Sequence, residues 1–419
     1  MFSPGFRIFL AGLSLLLSVR ISEAKEPEAA KKKIAAIVTC YYHNSHADVL
    51  LSRIFQTHTY DGKGEWPELQ LASLYTDQVP VNDLSRKFSE QYRFPICKTV
   101  AEALTLGTKN LAVDGVFLIA EHGDYSRSET GQIQWPKRRL FEEIVKVFRE
   151  SKRVVPVFID KHIADNWEDA NWIYSTAKEL KIPLMAGSSL PEVWRYPEAD
   201  VRRGAELQEV VGVSYHTLDA YGFHALEMLQ CLVERRGGGE TGVKSVQCFT
   251  GDAVWEAGEK KVYDQELLNA ALARLERKVP VDKKLKDLIP EPVLFVIDYS
   301  DGLRASILTL NYAVGEWSIA WRYKSDQRLD STLFWVQEAR PFMHFTYLFK
   351  GIEKMVLTGK PTWPAERTLL TSGVLDALLI SKKEGGKRVE TPHLTFSYQN
   401  SRDWRQPPPP PPGRPIEGQ

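Results

Sequence analysis

The chain of 419 residues has no excess of either charge, with 54 Lys and Arg against 54 Asp and Glu. A nucleic-acid partner normally draws a basic excess, so none is expected. Cysteine is scarce. Cys40, Cys97, Cys231 and Cys248 stand far apart and form no C-x-x-C pair, which argues against a zinc ribbon. In an exported chain Cys231 and Cys248 would be the pair to bridge, since both fall in one expected domain; four half-buried free thiols account for the same residues equally well. Long apolar runs are also missing. After the first twenty residues no stretch is apolar enough to span a bilayer.

The N-terminus is where an apolar run does occur. "MFSPGFR" carries one positive charge, "IFLAGLSLLLSV" is apolar but too short to span, and "ISEA" offers small residues at Ser22 and Ala24 with the spacing of a signal-peptidase site. Residues 1–24 therefore read as a secretory signal, with an uncleaved anchor as the alternative, and export to the periplasm or the medium is expected. The whole chain is 43% hydrophobic and 26% charged, ordinary for a globular protein, and is long enough for two domains with cores.

Residues 25–33, "KEPEAAKKK", form a charged linker. From 34 to 187 strand and helix patterns alternate. "KIAAIV", "ELQLASLY", "VDGVFLIA", "RVVPVFI" and "IPLMAG" have strand character, while "ADVLLSRIF", "VNDLSRKFSEQY", "TVAEAL", "RRLFEEIVKVFRES" and "NWEDANWIYSTAKEL" have helical spacing. That alternation predicts a doubly wound parallel sheet with helices on both faces, whose ligands bind at the carboxyl ends of the strands. From 188 to 398 the pattern changes. One amphipathic helix, "YGFHALEMLQCLVE", precedes the strands "VKSVQCFTG", "PVLFVIDYS", "LRASILTLN", "WSIAWRYK" and "STLFWVQE", with a hairpin tip at Asp301-Gly302. This predicts an α+β domain with an open, mainly antiparallel sheet. Its aromatic face needs a cover, either a second copy of the chain or the chain's own helices. Residues 399–419 end in "PPPPPP" and predict a polyproline II tail without a core.

The order of these pieces resembles the glucose–fructose oxidoreductase and inositol 2-dehydrogenase family, over nearly all of 34–395. "VDGVFLIAEHGDY" resembles its fourth strand and following loop. "VVPVFIDKHIADNWEDANWIYSTAKELKIPLMAG" resembles the segment with its Glu-Lys-Pro motif, and "DAYGFHALEML" the helix with its Gly-x-His-x-x-Asp signature. "GKPTWPAERTLLTSGVLDALLISKKEGGKRVETPHL" resembles its C-terminal end. The resemblance implies a Rossmann-like first domain, a bound NAD or NADP, and hydride transfer from a sugar or cyclitol carbinol. For an exported chain it implies a tightly held cofactor, since none is free to be recruited.

The family's glycine loop is absent. Aligned on the His-Ala pair at His46-Ala47, its three glycines fall on Val38, Cys40 and His43, which add bulk where a pyrophosphate would lie. A helix N-terminus remains there and still attracts an anion. Asp77, in "LYTDQ", stands where a carboxylate often meets a ribose hydroxyl, though a turn or cap uses an Asp in the same way. The Glu-Lys-Pro motif becomes Asp160-Lys161-His162; the resemblance gives Lys161 the cofactor–substrate junction and a role in polarising a substrate hydroxyl. His224 matches the catalytic His, with Glu227 three residues on as its carboxylate. The family's Asp four residues before that His is Ala220 here, and Asp219 substitutes only if the turn is re-registered.

Independently of any family, His43, His46, His122, Asp124 and His162 fall in loops that share one edge of a doubly wound sheet. They form an alternative ligand set for a transition metal, in place of the dinucleotide. The long loop "HGDYSRSETGQIQWPKRR" adds Tyr125, Arg127 and Trp135 beside other polar groups, which suits a polyhydroxylated ligand. The rival to a hydride-transfer enzyme is thus a non-redox protein on the same scaffold, either a carbohydrate binder or a metal-dependent hydrolase or lyase.

Overall fold

The computed structural model describes Met1, residues 30–280 and residues 283–408. Nearly all of the expected signal, most of the linker and the residues beyond 408, with four of the six consecutive prolines, lie outside the described residues. No helix among the described residues is long and apolar enough to cross a membrane.

The first half alternates as its pattern predicts: β1 (Lys32–Val38), α1 (His46–Phe55), β2 (Leu69–Thr76), α2 (Ser85–Tyr92), β3 (Ile96–Cys97), α3 (Val100–Thr105), β4 (Gly115–Ile119), α4 (Lys137–Ser151), β5 (Val157–Asp160), α5 (Trp167–Glu179) and β6 (Leu184–Gly187). The strands form a six-stranded, all-parallel sheet in the order β3-β2-β1-β4-β5-β6, the Rossmann arrangement. Every residue of β4 and β5 is buried, as continuous apolar strands covered on both faces require. Local signals start the helices. Ser45, Thr99 and Asn166 each accept a hydrogen bond from a backbone N–H in the first turn of α1, α3 and α5. In α4, Leu140, Ile144 and Val147 recur with Phe141, Val145 and Phe148 on one buried stripe.

The second half holds β7 (Trp194–Tyr196), β8 (Leu207–Ser214), α6 (Ala220–Val233), β9 (Val243–Thr250), α7 (Asp252–Glu259), α8 (Gln265–Leu272), α9 (Leu285–Leu288), β10 (Val293–Tyr299), β11 (Arg304–Thr309), β12 (Trp317–Tyr323), β13 (Leu329–Trp335), α10 (His344–Thr358), α11 (Ala365–Lys383) and β14 (Val389–Glu390). Its eight-stranded sheet runs β14-β9-β10-β11-β8-β12-β13-β7 and is antiparallel except where β11 meets β8. The hairpin tip at Asp301-Gly302 is in place, with Gly302 at φ +90°. β8, at the centre of this sheet, is a strand that the sequence pattern did not reveal.

One feature decides between two expected alternatives and one differs from expectation. Of the two covers expected for the aromatic strands, the chain's own helices are present: α8 packs on β8, β12 and β13, α7 packs on β9, and Trp317 and Trp321 are buried. The segment between β9 and β10, which has no strand pattern of its own, supplies this cover. Residues 399–408 do not extend free as a tail. Gln406 hydrogen-bonds both the N–H and the carbonyl of Arg195, at 3.0 and 3.2 Å, and Trp404 lies 4.1 Å over the Arg195 guanidinium. The segment thereby covers the outer edge of β7, which would otherwise expose unpaired backbone. All four cysteines are buried thiols, without a disulfide.

The two sheets are tied by late elements. α10 returns to the first sheet and packs Phe345, Leu348, Phe349 and Ile352 with Ile34, Phe117, Phe158 and Met185. α11 lies against α5, α6, β6 and β9.

Candidate functional site

Parallel pairing fixes where the site lies. Val38 pairs with both Thr76 and Ile119, and Asp160 pairs with Gly187, so the chain leaves β1, β2, β4, β5 and β6 at one edge. The loops at that edge, with the start of α6 and the segment before α10, enclose a cavity of about 530 Å³. That is within the usual range for a small-molecule site.

The floor is a buried ionic cluster. Lys137, the first residue of α4, sends its Nζ to Glu121 Oε1 at 2.5 Å and to the carbonyls of Asp160 and His162 at 2.9 and 2.8 Å. Glu121 also faces Lys161 Nζ at 3.4 Å and His162 Nδ1 at 3.5 Å. Burial alone would raise the Glu121 carboxyl, but Lys137, Lys161 and His162 outweigh it and hold the group well below the usual carboxylate range. Lys161 directly follows β5 with a left-handed backbone, φ +58°, and lines the cavity.

Imidazoles surround this floor. His46 Nδ1 meets Asp160 Oδ2 at 2.5 Å, and His122 Nδ1 meets the Tyr42 hydroxyl at 2.9 Å. His224 Nδ1 meets Ser188 Oγ at 2.6 Å. Burial, then the charges of His46 and Lys161, push His122 down to about 3. His224 is likewise lowered well below its ordinary value by burial, Lys161 and His46, so its ring is neutral at pH 7. With Nδ1 engaged by Ser188, Nε2 is the nitrogen left for a ligand. Buried His122 Nε2, His162 Nε2, His344 Nδ1, Asp219 Oδ1 and Trp317 Nε1 have no protein partner among the described residues, and all five side chains line the cavity. Unpaired buried polar atoms are costly, so the cavity is built for a polar occupant. Tyr221, which also lines the cavity, stacks on Trp317 with ring centroids 5.3 Å apart and adds an aromatic surface.

The sequence-selected residues separate into three groups. Lys161, His224, Asp219, His122 and Trp135 line the cavity together with His46 and His162. Glu227 does not: it is buried behind α6, where Thr371 Oγ1 donates to it at 2.7 Å, and burial raises its carboxyl. The polar partner of His224 is therefore Ser188. Asp219 accepts from the N–H of Ile133 at 3.1 Å through its other oxygen. Tyr125 and Arg127 are turned away, Tyr125 donating to Asp77 Oδ2 at 2.7 Å and Arg127 to the Gly131 carbonyl at 2.9 Å. The third group is Val38, Cys40, His43 and Asp77, none of which lines the cavity.

Nor do His43, His46, His122, Asp124 and His162 assemble as a metal centre. His43 is solvent-exposed, Asp124 is held through its backbone by Gln78, and the other three rings are each tied to a neighbour. No group of three or more His, Cys, Asp or Glu among the described residues is placed to hold a metal ion.

Glu121, Lys137, Ser188, Tyr42 and His344 escaped sequence reasoning. The first two had a signal: an acid directly at the end of an all-apolar strand, and a lysine opening the next helix, are candidates for a buried pair.

Parallel order, crossover helices and a following mixed sheet define the architecture of the glucose–fructose oxidoreductase and inositol dehydrogenase family, and the chain has that fold. GenD2 from gentamicin A biosynthesis, solved in complex with NAD, is similar at TM-score 0.55 and 13% identity over 87% of this chain and 97% of that one. Apo scyllo-inositol dehydrogenase from Lactobacillus casei gives 0.52 and 10%, covering 86% and 98%. Myo-inositol 2-dehydrogenase from Lactobacillus plantarum gives 0.50 and 9%, covering 86% and 99%. No family model matches the sequence, and no curated protein sequence matches it.

A dinucleotide on this fold crosses the strand ends, with its pyrophosphate at the N-terminus of α1 and a ribose at the end of β2. The residues here do not fit that course. In the first turn of α1, Asp48 already supplies a negative charge: its buried carboxylate accepts from Asn44 N and Arg340 at 2.9 Å each and from Ser52 at 2.8 Å. At the end of β2, Asp77 is occupied by Tyr125, Tyr75 and Arg139. Gln78 holds Asp124 by two hydrogen bonds of 2.9 Å.

Proposed function

We propose that this chain uses the dehydrogenase scaffold to take a sugar- or cyclitol-like polyol into the cavity and to move the proton of one of its hydroxyls. The observation that carries the reading is the meeting of Lys161, His224 and Asp219 in a cavity lined both by unpartnered polar atoms and by the stacked rings of Tyr221 and Trp317. Hydroxyl-rich ligands offer both kinds of surface. The Lys161 ammonium, oriented by Glu121, polarises a hydroxyl oxygen, and neutral His224, oriented by Ser188, takes or returns its proton. Asp219 holds a neighbouring hydroxyl.

Hydride transfer from the same carbinol to a tightly held NAD or NADP is the second reading. The pairing of Lys161 with His224 at the carboxyl edge of a dehydrogenase fold favours it, and the filled phosphate and adenosine positions oppose it. The leader at 1–24 supports export as the setting, and a small molecule, rather than a nucleic acid, as partner agrees with the balanced charge.

Thermal-shift and calorimetric titration with aldoses, sugar acids and inositols tests the proposal. It expects one class to stabilise the wild type, with affinity reduced at least about tenfold in Lys161→Met. A folded wild type that binds no member of the panel overturns it.

A further inference from the structure

We infer that the dinucleotide half of this Rossmann crevice is permanently filled by the protein's own side chains, so that the chain works without a nicotinamide cofactor and its chemistry on the cavity ligand is redox-neutral.

Three contacts do the filling, each where a dinucleotide would place a group of its own. The negative charge of a pyrophosphate is supplied by Asp48. It is a fully buried carboxylate one turn into α1, with donors from Asn44, Ser52, Tyr60 and Arg340. Arg340 comes from the segment before α10, more than half the chain away, and also holds Asn44 at 2.9 Å. The ribose hydroxyl is replaced by the phenol of Tyr125 on Asp77. The space between the β1 and β4 loops is closed by Cys40, Gln78 and Tyr125: a Cβ on Gly123 would stand 3.2 Å from Cys40 Sγ, 2.9 Å from Gln78 Oε1 and 2.7 Å from the Tyr125 ring. Val38 and Cys40, at the first two glycine positions, are buried, while His43, at the third, is exposed and puts an imidazole where a glycine would leave bare backbone.

These are not loose surface contacts. Seating a phosphate would place an anion against the buried Asp48 carboxylate, a like-charge approach in a poorly solvated site. Seating an adenosine would require the Tyr125–Asp77 and Gln78–Asp124 bonds to break together. What remains open is the cavity itself, which runs from Lys161 and His224 as far as Tyr42, His46 and Val49 at the start of α1 and stops short of Asp77 and Tyr125. With no hydride acceptor beside them, these groups can bind a polyol and exchange the proton of a hydroxyl with it, returning it unchanged, but cannot oxidise it. The inference shares with the proposed function only the choice of the cavity as the working site.

The test is equilibrium dialysis of the purified wild-type chain, from residue 25 onward, against NAD, NADH, NADP and NADPH, with mass spectrometry of small molecules released on denaturation. The expected result is no released dinucleotide and no saturable binding tighter than about 1 mM for any of the four. Released dinucleotide near one per chain, or saturable binding tighter than about 1 mM, overturns the inference. The polyol panel is read separately on the same preparation. Dinucleotide-free protein that binds no polyol leaves this inference standing and removes the proposed function, whereas protein that binds both removes only this inference.

Discussion

Lys137 Nζ lies 2.5 Å from Glu121 Oε1, with neither side chain open to solvent. The lysine opens α4 and the glutamate closes β4, so the pair nails the start of a helix to the end of a strand. The same ammonium also binds the carbonyls of Asp160 and His162, on either side of Lys161. It thus fixes the turn from which Lys161 enters the cavity.

Removing the lysine alone should be costly. Lys137→Met leaves the Glu121 carboxylate buried with Lys161 as its remaining ammonium partner, and the expected loss is about 3–5 kcal/mol in denaturant unfolding. The double change with Glu121→Gln should recover only part of it, because the buried carboxylate is then gone but Lys161 loses its acidic partner. If Lys137→Met unfolds at the same denaturant concentration as the wild type, the pair does not hold the floor of the site.

Acid should weaken the fold before ordinary carboxylates titrate. Unfolded histidines take up protons near pH 6.5. In the folded chain His122 and His344 are held down to about 3, and His224 is also lowered, each chiefly by burial. Between those limits the unfolded state binds more protons, so stability falls as pH falls, by about 1.4 kcal/mol per pH unit for each group. Glu121 adds a later loss, because a carboxyl lowered by folding contributes above its unfolded value and ceases to do so as pH drops through its folded one. Unfolding free energies measured from pH 7.5 to 5 should decline steadily, and less steeply in His344→Phe. A flat profile would mean these rings are charged in the folded protein.

The segment 401–408 should behave as part of the fold. Truncation after Asn400 strips Trp404 from Arg195 and removes the Gln406 side chain from the β7 backbone. About 2–4 kcal/mol of stability should go, with a new tendency to associate through the bared edge. Thermal unfolding with light scattering reads both effects. An unchanged transition would show the segment to be dispensable.

The sequence was most legible where one local rule decides. The period of apolar residues placed β1, β4, β5, α4 and α5, and the hairpin at Gly302 followed from its turn residues. β8 escapes that rule although it is as long as β2 and β9, because "LQEVVGVS" keeps no strict alternation of apolar and polar residues. Lys161 and His224 were found by motif position, but which residue serves His224 was not: the carboxylate three residues on faces α11, and Ser188, from the end of β6, takes the place. Such pairings depend on helix rotation and strand register, which no single stretch of sequence specifies. The filled cofactor half shows the same limit, since Asp48 gains its meaning only when Arg340 is folded back onto it.

Ser188 and His224 give the most direct separation of chemistry from stability. His224→Asn keeps a polar atom near the Nδ1 position for Ser188 while deleting Nε2, the nitrogen that faces a ligand. On a panel member that the wild type is shown to convert, turnover should fall about 10²- to 10⁴-fold with affinity changed only modestly, the pattern of a lost proton-transfer group. Ser188→Ala keeps Nε2 but frees the ring from its 2.6 Å bond, so it should lower turnover less and shift its pH profile. If His224→Asn weakens binding and leaves turnover intact, His224 is a binding group and the proton is handled by another residue of the cavity.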